Sequence, residues 1–285
     1  MDVEQRFSLE DVMSVWRELL SFKDVERPSI VRPPCQNDTD KWMAGMPWLM
    51  IIPPRIEERP FFGVVDRIAD VLKGLYPQLA EEVTNGLAAL PATHSERQAF
   101  LEGILKRIER KDGCKDDLLQ SLPSAEMAGF FVGAAAKIFM RGYAGAVSAW
   151  VEDEKWQRGI CPVCGSHPSF SEIEGDRRVR YLYCDLCGTR WRFSRIGCPF
   201  CERSNEEQKL LVLEGNKQYR VYLCEYCRSY LKAVDARQSR PEDLLLENIK
   251  TVFLDLLVAR EGYVNQAQTG KFSSTAGEGE APSAP

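Results

Sequence analysis

Hydrophobic residues in the first half of the chain recur at the three- and four-residue spacing of amphipathic helices. The spacing predicts four helices, near residues 9–20, 64–75, 99–108 and 123–156. Ser8 and Asp11 have the separation of a capping box at the start of the first helix. Six prolines lie between residues 32 and 60, where we expect loops. The pattern therefore predicts an all-α domain over residues 1–157.

The longest of these helices, at 123–156, is rich in small residues. Its glycines would let a second helix approach closely, namely Gly129, Gly133, Gly142 and Gly145. Large hydrophobic residues, among them Met127, Phe130 and Phe131, share one face. Such a helix is typical of the core of an all-α domain, and we interpret it in that way and not as a cofactor site.

The pattern changes at about residue 158. Polar and hydrophobic residues alternate with a period of two at 178–183 and 219–223, which predicts β-strands. Helical spacing returns at 242–263, where Pro241 suits a first turn. The last 21 residues, 265–285, are mostly Gly, Ser, Ala and Pro with little to bury, so we expect a disordered tail.

The composition is that of a globular protein, with 44% hydrophobic and 28% charged residues. The 37 basic and 42 acidic residues give a net charge of −5, which argues against a general affinity for nucleic acid or anionic lipid. The N-terminal residues lack the basic and apolar regions of a secretory signal. No apolar run approaches the roughly 20 residues that a membrane span needs. We therefore expect a soluble protein that is not exported.

Eight of the ten cysteines form four C-x-x-C pairs. These candidate metal ligands are Cys161, Cys164, Cys184, Cys187, Cys198, Cys201, Cys224 and Cys227. Two intervening residues let a tight turn point both thiolates at one metal ion, and two such pairs complete a tetrahedral site. The gaps between the pairs, 19 residues in the first set and 22 in the second, are close to those of a zinc ribbon.

The cysteine pairs also mark an internal repeat. Residues 197–201 resemble 160–164, and residues 220–224 resemble 180–184. Pairs that are neighbours in sequence keep each unit self-contained. We therefore predict one site that joins the first two pairs and a second site that joins the last two.

C-x-x-C pairs also occur in redox-active dithiols and in iron–sulfur clusters. A dithiol redox pair would need a single C-x-x-C beside a βαβ pattern, and an iron–sulfur cluster usually has less regular cysteine spacing. Four regularly repeated pairs argue against both. Zinc and mononuclear iron both accept four thiolates in a tetrahedron, so the residues alone leave the metal open. Either metal would stabilise a segment that has few aliphatic residues.

Arginines alternate with aromatic residues in the first unit. The arginines are Arg178, Arg180, Arg190, Arg192 and Arg195, and the aromatics are Tyr181, Tyr183, Trp191 and Phe193. Alternation along strands predicts arginines on one face and aromatics on the other. We interpret this as a solvated face over a packed one. A zinc ribbon that binds nucleic acid and a docking surface for an acidic protein segment are the alternatives.

Conventional catalytic groups are lacking. His94 is predicted to be a loop residue at the start of a helix, and His167 to lie in a turn near the first cysteine pair, where four cysteines already complete a site. Cys35 and Cys114 are interpreted as incidental thiols. The sequence has no Ser/His/Asp set, no P-loop and no dinucleotide-binding motif. We therefore predict that the protein is not an enzyme.

The residues around the cysteines resemble the FdhE family of formate dehydrogenase accessory proteins. In the first unit these are Cys161-Pro162-Val163-Cys164-Gly165-Ser166, Arg180-Tyr181-Leu182, Cys184, Leu186-Cys187-Gly188-Thr189, Trp191 and Arg195-Ile196. In the second unit they are Cys198, Cys201, Cys224, Cys227, Tyr230-Leu231-Lys232 and Asp235. The closing helix continues the resemblance at 254–263. The match covers about residues 158–264 and is more diffuse in the helical region.

The resemblance implies a multidomain α+β fold. Its parts are an all-α N-terminal domain (1–157), two rubredoxin-like (zinc-ribbon-like) β modules (158–197 and 198–240), a C-terminal helix (241–264) and a disordered tail (265–285). It implies iron as the metal in two mononuclear sites, with zinc as the alternative, and the eight paired cysteines as ligands. It also implies a cytoplasmic maturation factor that binds the catalytic subunit of a respiratory formate dehydrogenase. An iron electron carrier is a further alternative.

Overall fold

The computed structural model describes residues 8–22, 28–110, 125–203, 208–238 and 240–269. In these residues the α-helices are Leu9–Leu20 (α1), Gln36–Met43 (α2), Trp48–Ile51 (α3), Glu58–Leu75 (α4), Ala80–Ala88 (α5), His94–Arg110 (α6), Ala125–Val147 (α7), Leu244–Lys250 (α8), Val252–Ala259 (α9) and Gln266–Thr269 (α10). The β-strands are Phe170–Glu174 (β1), Val179–Tyr183 (β2), Arg190–Phe193 (β3), Gln208–Leu213 (β4), Asn216–Cys224 (β5) and Tyr230–Asp235 (β6). A helical N-terminal region therefore precedes a β region and C-terminal helices, as predicted. Within the described ranges, no helix has both the length and the apolar character of a membrane span.

The four predicted helices are present, and those predicted from residues 64 and 99 begin earlier, at Glu58 and His94. At α1 the Asp11 amide donates to Ser8 Oγ at 3.2 Å and the Ser8 amide donates to Asp11 Oδ2 at 2.7 Å, which is the predicted capping box. Helix α4 begins six residues before the predicted 64–75 segment, at Glu58. Pro60 is accommodated there because the first turn of a helix has no internal partner for its amide groups.

The proline-rich stretch at 32–60 is not only loop, which corrects the prediction. It contains α2 and α3, whose tryptophans Trp42 and Trp48 are almost fully buried. The two rings stack on each other at 5.9 Å, and Trp42 also stacks on Trp156 at 5.1 Å. Aromatic packing over more than 100 residues of sequence separation stabilises these two short helices, and a local pattern contains no sign of it.

The close helix approach predicted for α7 depends on a glycine of a different helix. A Cβ at Gly86 of α5 would lie 2.6 Å from Met127 Cγ and 3.1 Å from Phe131 Cε2, so the absence of a side chain there allows α7 to pack closely. On α7 itself, Gly133 and Gly145 have nothing within 4 Å of a Cβ position. The core role of α7 is nevertheless confirmed, because Phe131 and Ala135 are fully buried.

All six strands join one sheet in the order β3-β2-β1-β6-β5-β4. Within each unit the neighbouring strands are antiparallel, whereas β1 and β6 pair in parallel and connect the two units. In that pair Ser171 lies opposite Ala233 and Ile173 opposite Asp235. The sheet therefore continues across the predicted boundary between residues 197 and 198.

The predicted separation of arginines from aromatics on β2 and β3 is wrong. Arg180 pairs with Phe193 and Leu182 with Trp191, and these four side chains share one buried face of the sheet. Arg180 has no exposed surface. On the opposite face, Arg190 lies over the ring of Tyr181 at 3.6 Å. The period of two along each strand was predicted correctly. Arg180 of β2 nevertheless faces the core, because Gly197 and Tyr222 of the chain that follows cover its side of the sheet.

The predicted C-terminal helix is two helices that break at Thr251. The buried Lys232 of β6 donates from Nζ to the carbonyl oxygens of Asn248 at 2.8 Å and Thr251 at 3.3 Å, and to Asp255 Oδ2 at 2.7 Å. These bonds use carbonyls that a continuous helix would keep for its own amides.

The start of the predicted disordered tail is ordered. Asn265, the first residue of that tail, is buried and donates to Ser169 O at 3.2 Å. Residues 270–285 lie outside the described ranges.

We expect Gly159→Ala to lower the melting temperature, because a Cβ at this position would lie 1.7 Å from Pro199 O, at the contact between the linker and the second unit. Overpacking of this kind costs typically about 1–3 kcal/mol. Gly133→Ala is the matched control, since a Cβ there meets nothing within 4 Å and alanine favours a helix interior by roughly 0.5–1 kcal/mol. Thermal melts of the purified variants test this, and equal melting of Gly159→Ala and the wild type would contradict the packing described.

Candidate metal centres

Each C-x-x-C pair lies in a tight turn of the same backbone form. The amide of the first cysteine donates to the carbonyl oxygen five residues later, as from Cys161 to Ser166 O at 2.9 Å. The turns that begin at Cys184, Cys198 and Cys224 contain the equivalent bond at 3.0, 3.1 and 2.9 Å. The sequence repeat is therefore a repeat of turn structure, which points each pair of sulfurs to one side.

The residue after each pair has a left-handed backbone. In the first unit this position is glycine, with φ of 78° at Gly165 and 69° at Gly188. In the second unit it is Glu202 at 55° and Arg228 at 52°, where a side chain costs roughly 1 kcal/mol or more. Both side chains make bonds from this position. Glu202 Oε1 accepts from the Gly159 amide at 3.1 Å, and Arg228 Nη1 donates to Glu225 Oε2 at 2.9 Å.

The first group of four sulfurs is fully enclosed. Cys161 Sγ lies 3.5 Å from Cys187 Sγ, and Cys164 Sγ lies 3.4 Å from Cys184 Sγ. All four cysteines are buried, and their sulfurs lie within 4.8 Å of one another. The distances are far beyond the roughly 2.05 Å of a disulfide bond. The predicted grouping of the first two pairs is thus present in the structure.

The second group has the same form but is more open. Cys198 Sγ lies 3.6 Å from Cys227 Sγ, and Cys201 Sγ lies 3.7 Å from Cys224 Sγ. Cys198 and Cys224 are buried, whereas Cys201 and Cys227 are partly exposed. The structure therefore brings the last two pairs together, as the sequence order predicts.

The geometry and chemistry of both groups fit a tetrahedral metal ion. With metal–sulfur bonds of about 2.3 Å, the sulfurs of a tetrahedron lie about 3.8 Å apart, close to the spacing in both groups. Burial raises the pKa of the Cys161 and Cys187 thiols, so thiolates at these positions need a nearby cation. Each group could therefore bind one metal ion, and four sulfur ligands suit zinc and iron equally.

The helical region contacts the first group directly. The Trp48 and Leu49 amides donate to the carbonyl oxygens of Pro162 at 3.1 Å and Val163 at 2.8 Å, inside the first C-x-x-C turn. From α7, Lys137 Nζ donates to Asp185 Oδ2 at 2.7 Å, inside the second turn. Backbone amides and a cation from the N-terminal half thus fix the two turns that bring the first four sulfurs together.

A buried cation lies beside the second group. Arg180 Nη1 donates to the carbonyl oxygen of Gly197, adjacent to Cys198, at 3.2 Å, and its guanidinium lies 4.4 Å from the centre of the Tyr222 ring. Its Nε and Nη2 have no hydrogen-bond partner among the described residues. Burial lowers the pKa of Arg180, and the Tyr222 and Cys198 side chains oppose this shift. A metal ion with four thiolates would be anionic and would supply a countercharge for this guanidinium.

The remaining candidate residues do not join either group. Cys35 is exposed at the start of α2, and Cys114 lies outside the described residues. His167 is buried with its ring 5.7 Å from that of Phe200. His94 Nδ1 lies 2.5 Å from Glu58 Oε1. Sequence reasoning missed the contributions of Glu202 and Arg228, although both occupy the position of the glycines in the first unit.

We expect Arg180→Met to weaken metal binding at the second group only, because loss of the cation removes favourable charge around four thiolates. Substitutions next to a metal site typically lower affinity by about tenfold to a hundredfold. Release of metal to a colorimetric chelator measures this, and one of two metal equivalents should leave faster. Arg192→Met, on the other face of the sheet, is the control. Unchanged release of both equivalents from Arg180→Met would contradict the countercharge role.

The sequence is similar to those of several known proteins. Residues 160–195 match the family model described as the central domain of FdhE. A protein FdhE homolog from Aquifex aeolicus is 30% identical over 192 residues, which cover 66% of this chain and 61% of that protein. The homolog from Shewanella oneidensis is 26% identical over 201 residues, or 69% of this chain and 62% of that protein. The match thus spans about three fifths of the length of these relatives.

The fold is similar to that of a protein whose crystal structure is known. The crystal structure of the FdhE protein from Pseudomonas aeruginosa matches with a TM-score of 0.61 and 23% sequence identity, covering 90% of this chain and 87% of that chain. This likeness shows a shared fold. Together with the match at 160–195 and the homologs, it confirms the resemblance that the cysteine repeat predicts, and this chain is similar to the FdhE proteins.

Proposed function

We propose that this protein is a cytoplasmic accessory protein that binds the catalytic subunit of a respiratory formate dehydrogenase and is needed for its activity. The observation that carries the proposal is a pair of four-cysteine groups at the turns of one sheet, the first of them in contact with the helical region, in a chain similar to FdhE proteins. We assign the chain a binding role and no reaction of its own.

In this proposal, all eight paired cysteines are ligands and each group binds one metal ion. The proposed modules are residues 158–197, which contain β1–β3, and residues 198–240, which contain β4–β6. Iron is the proposed metal, since it is the one that the family resemblance implies, and four thiolates provide a suitable ligand set. A bound metal would supply the cross-link that holds two turns of each module together.

The burial of the first group supports a structural role for its metal. Its four cysteines are enclosed between the sheet and α2, α3 and α7, and Tyr143 of α7 is fully buried with its hydroxyl donating to Ile52 O at 2.7 Å. Such a site fixes the position of the helical domain against the sheet. The proposed partner would then meet a rigid surface made by both halves of the chain.

The test is complementation of a strain that lacks the gene. Wild-type protein should restore formate-dependent dye reduction, whereas Cys198→Ser should leave activity at the level of the deletion strain, because one of four thiolates is lost. Immunoblots should show the catalytic polypeptide in every strain. Cys35→Ser is the matched control, since that cysteine is exposed and outside both groups, and it should restore full activity. Normal formate oxidation in the deletion strain would overturn the proposal.

A further inference from the structure

A strongly basic pocket lies at the edge of the sheet, and no paired cysteine lines it. Its volume is about 420 Å³, and its charged lining residues are Arg177, Arg178, Arg180, Arg192, Arg195 and Glu154. Strand β3 is the edge strand here, and the linker to the helical region forms the opposite wall. Arg180 turns its guanidinium toward Gly197 and Tyr222, so the four other arginines provide the positive charge that faces solvent.

These four arginines are hardly neutralised by the protein itself. Arg177, Arg178 and Arg195 are exposed and make no ion pair with any residue in the described ranges. Arg192 Nη1 lies 3.8 Å from Glu154 Oε1, and the Glu154 side chain is 88% exposed, so this ion pair is weak. Elsewhere on the same sheet, arginines are paired, as Arg220 is with Asp235 at 2.6 Å.

The charge of the pocket is opposite to that of the whole chain. The chain has a net charge of −5, while five arginines and one glutamate line this pocket. An acidic protein repels an acidic partner over most of its surface and attracts it only at such a site. The pocket therefore determines where and in which orientation an acidic segment would approach.

The backbone also places an arginine at the pocket where glycine would be less strained. Arg178 has a φ of 54° in the turn between β1 and β2, and its amide donates to Gly175 O at 2.9 Å. A left-handed conformation is unfavourable for a residue that has a side chain. The side chain at this position contributes nothing to the core, because it is exposed at the rim of the pocket.

We propose that this arginine pocket binds an acidic, carboxylate-rich segment of the partner protein, an inference that rests on the proposed function. Arginine guanidinium groups bind carboxylates through two parallel hydrogen bonds, and four of them converge on a space that holds a few carboxylate side chains. Nucleic acid is the less suitable occupant. Trp191 and Phe193 are buried and Arg190 covers one face of the partly exposed Tyr181 ring, so bases would find little aromatic surface to stack on.

The first experiment measures binding of a fluorescein-labelled peptide of eight glutamates to the purified full chain by fluorescence anisotropy at low salt. The variant is the triple substitution Arg177→Glu, Arg178→Glu and Arg195→Glu. Its affinity should fall by about tenfold or more, because three attractive charge pairs become repulsive. The matched control reverses three exposed cations outside the pocket, Arg59, Lys217 and Arg260, and changes the net charge equally.

Three results would overturn the inference about the pocket. They are no peptide binding by the wild type, an equal loss of affinity in the pocket and control variants, and stronger competition by a single-stranded oligonucleotide than by unlabelled peptide.

Copurification of the formate dehydrogenase catalytic subunit with the tagged protein separates this inference from the proposed function. If wild type and pocket variant retain the subunit equally, the pocket inference fails while the proposed function stands. If the wild type retains none, the proposed function fails and the peptide measurement alone decides the pocket.

Discussion

Four buried sulfurs held within 4.8 Å of one another are the constraint on which the C-terminal half depends. Thiols in that arrangement gain little from packing and, once ionised, repel each other strongly in an environment that water does not screen. A bound cation would reverse both effects, since it would stabilise the thiolates and cross-link two turns. The strands between the turns are short, so this cross-link would take the place of the large apolar core that a module of about 40 residues lacks.

The rest of the fold is arranged around the two groups. Parallel pairing of β1 with β6 joins the two units in one sheet, and Arg180 of the first unit lies against the second, between Gly197 and Tyr222. The helical half then contacts the first group through α2, α3 and α7. The first group is therefore enclosed by the helices, whereas the second group is partly exposed at Cys201 and Cys227. This asymmetry distinguishes two units that the cysteine pattern alone makes equivalent.

The sequence predicted the features that local patterns encode. Turn-forming C-x-x-C pairs repeat with their neighbours, and the capping residues of α1 lie three positions apart, so the grouping of cysteines and the helix start could both be anticipated. Features that depend on distant partners could not. Trp42 stacks on both Trp48 and Trp156, which stabilises α2 and α3. The final helix is interrupted at Thr251, where the carbonyl oxygen accepts from Lys232 Nζ as well as from the Leu254 amide. Arg180 is buried because the second unit covers it, which strand alternation cannot reveal.

The central claim is that each four-cysteine group binds one metal ion. Its most direct test is the metal content of protein purified anaerobically without added metal, by elemental analysis together with native mass spectrometry. The account predicts two metal ions per chain, one of which is lost when Cys161 is replaced by serine and the other when Cys224 is. A folded, metal-free chain whose eight paired cysteines all react with a thiol reagent would contradict it.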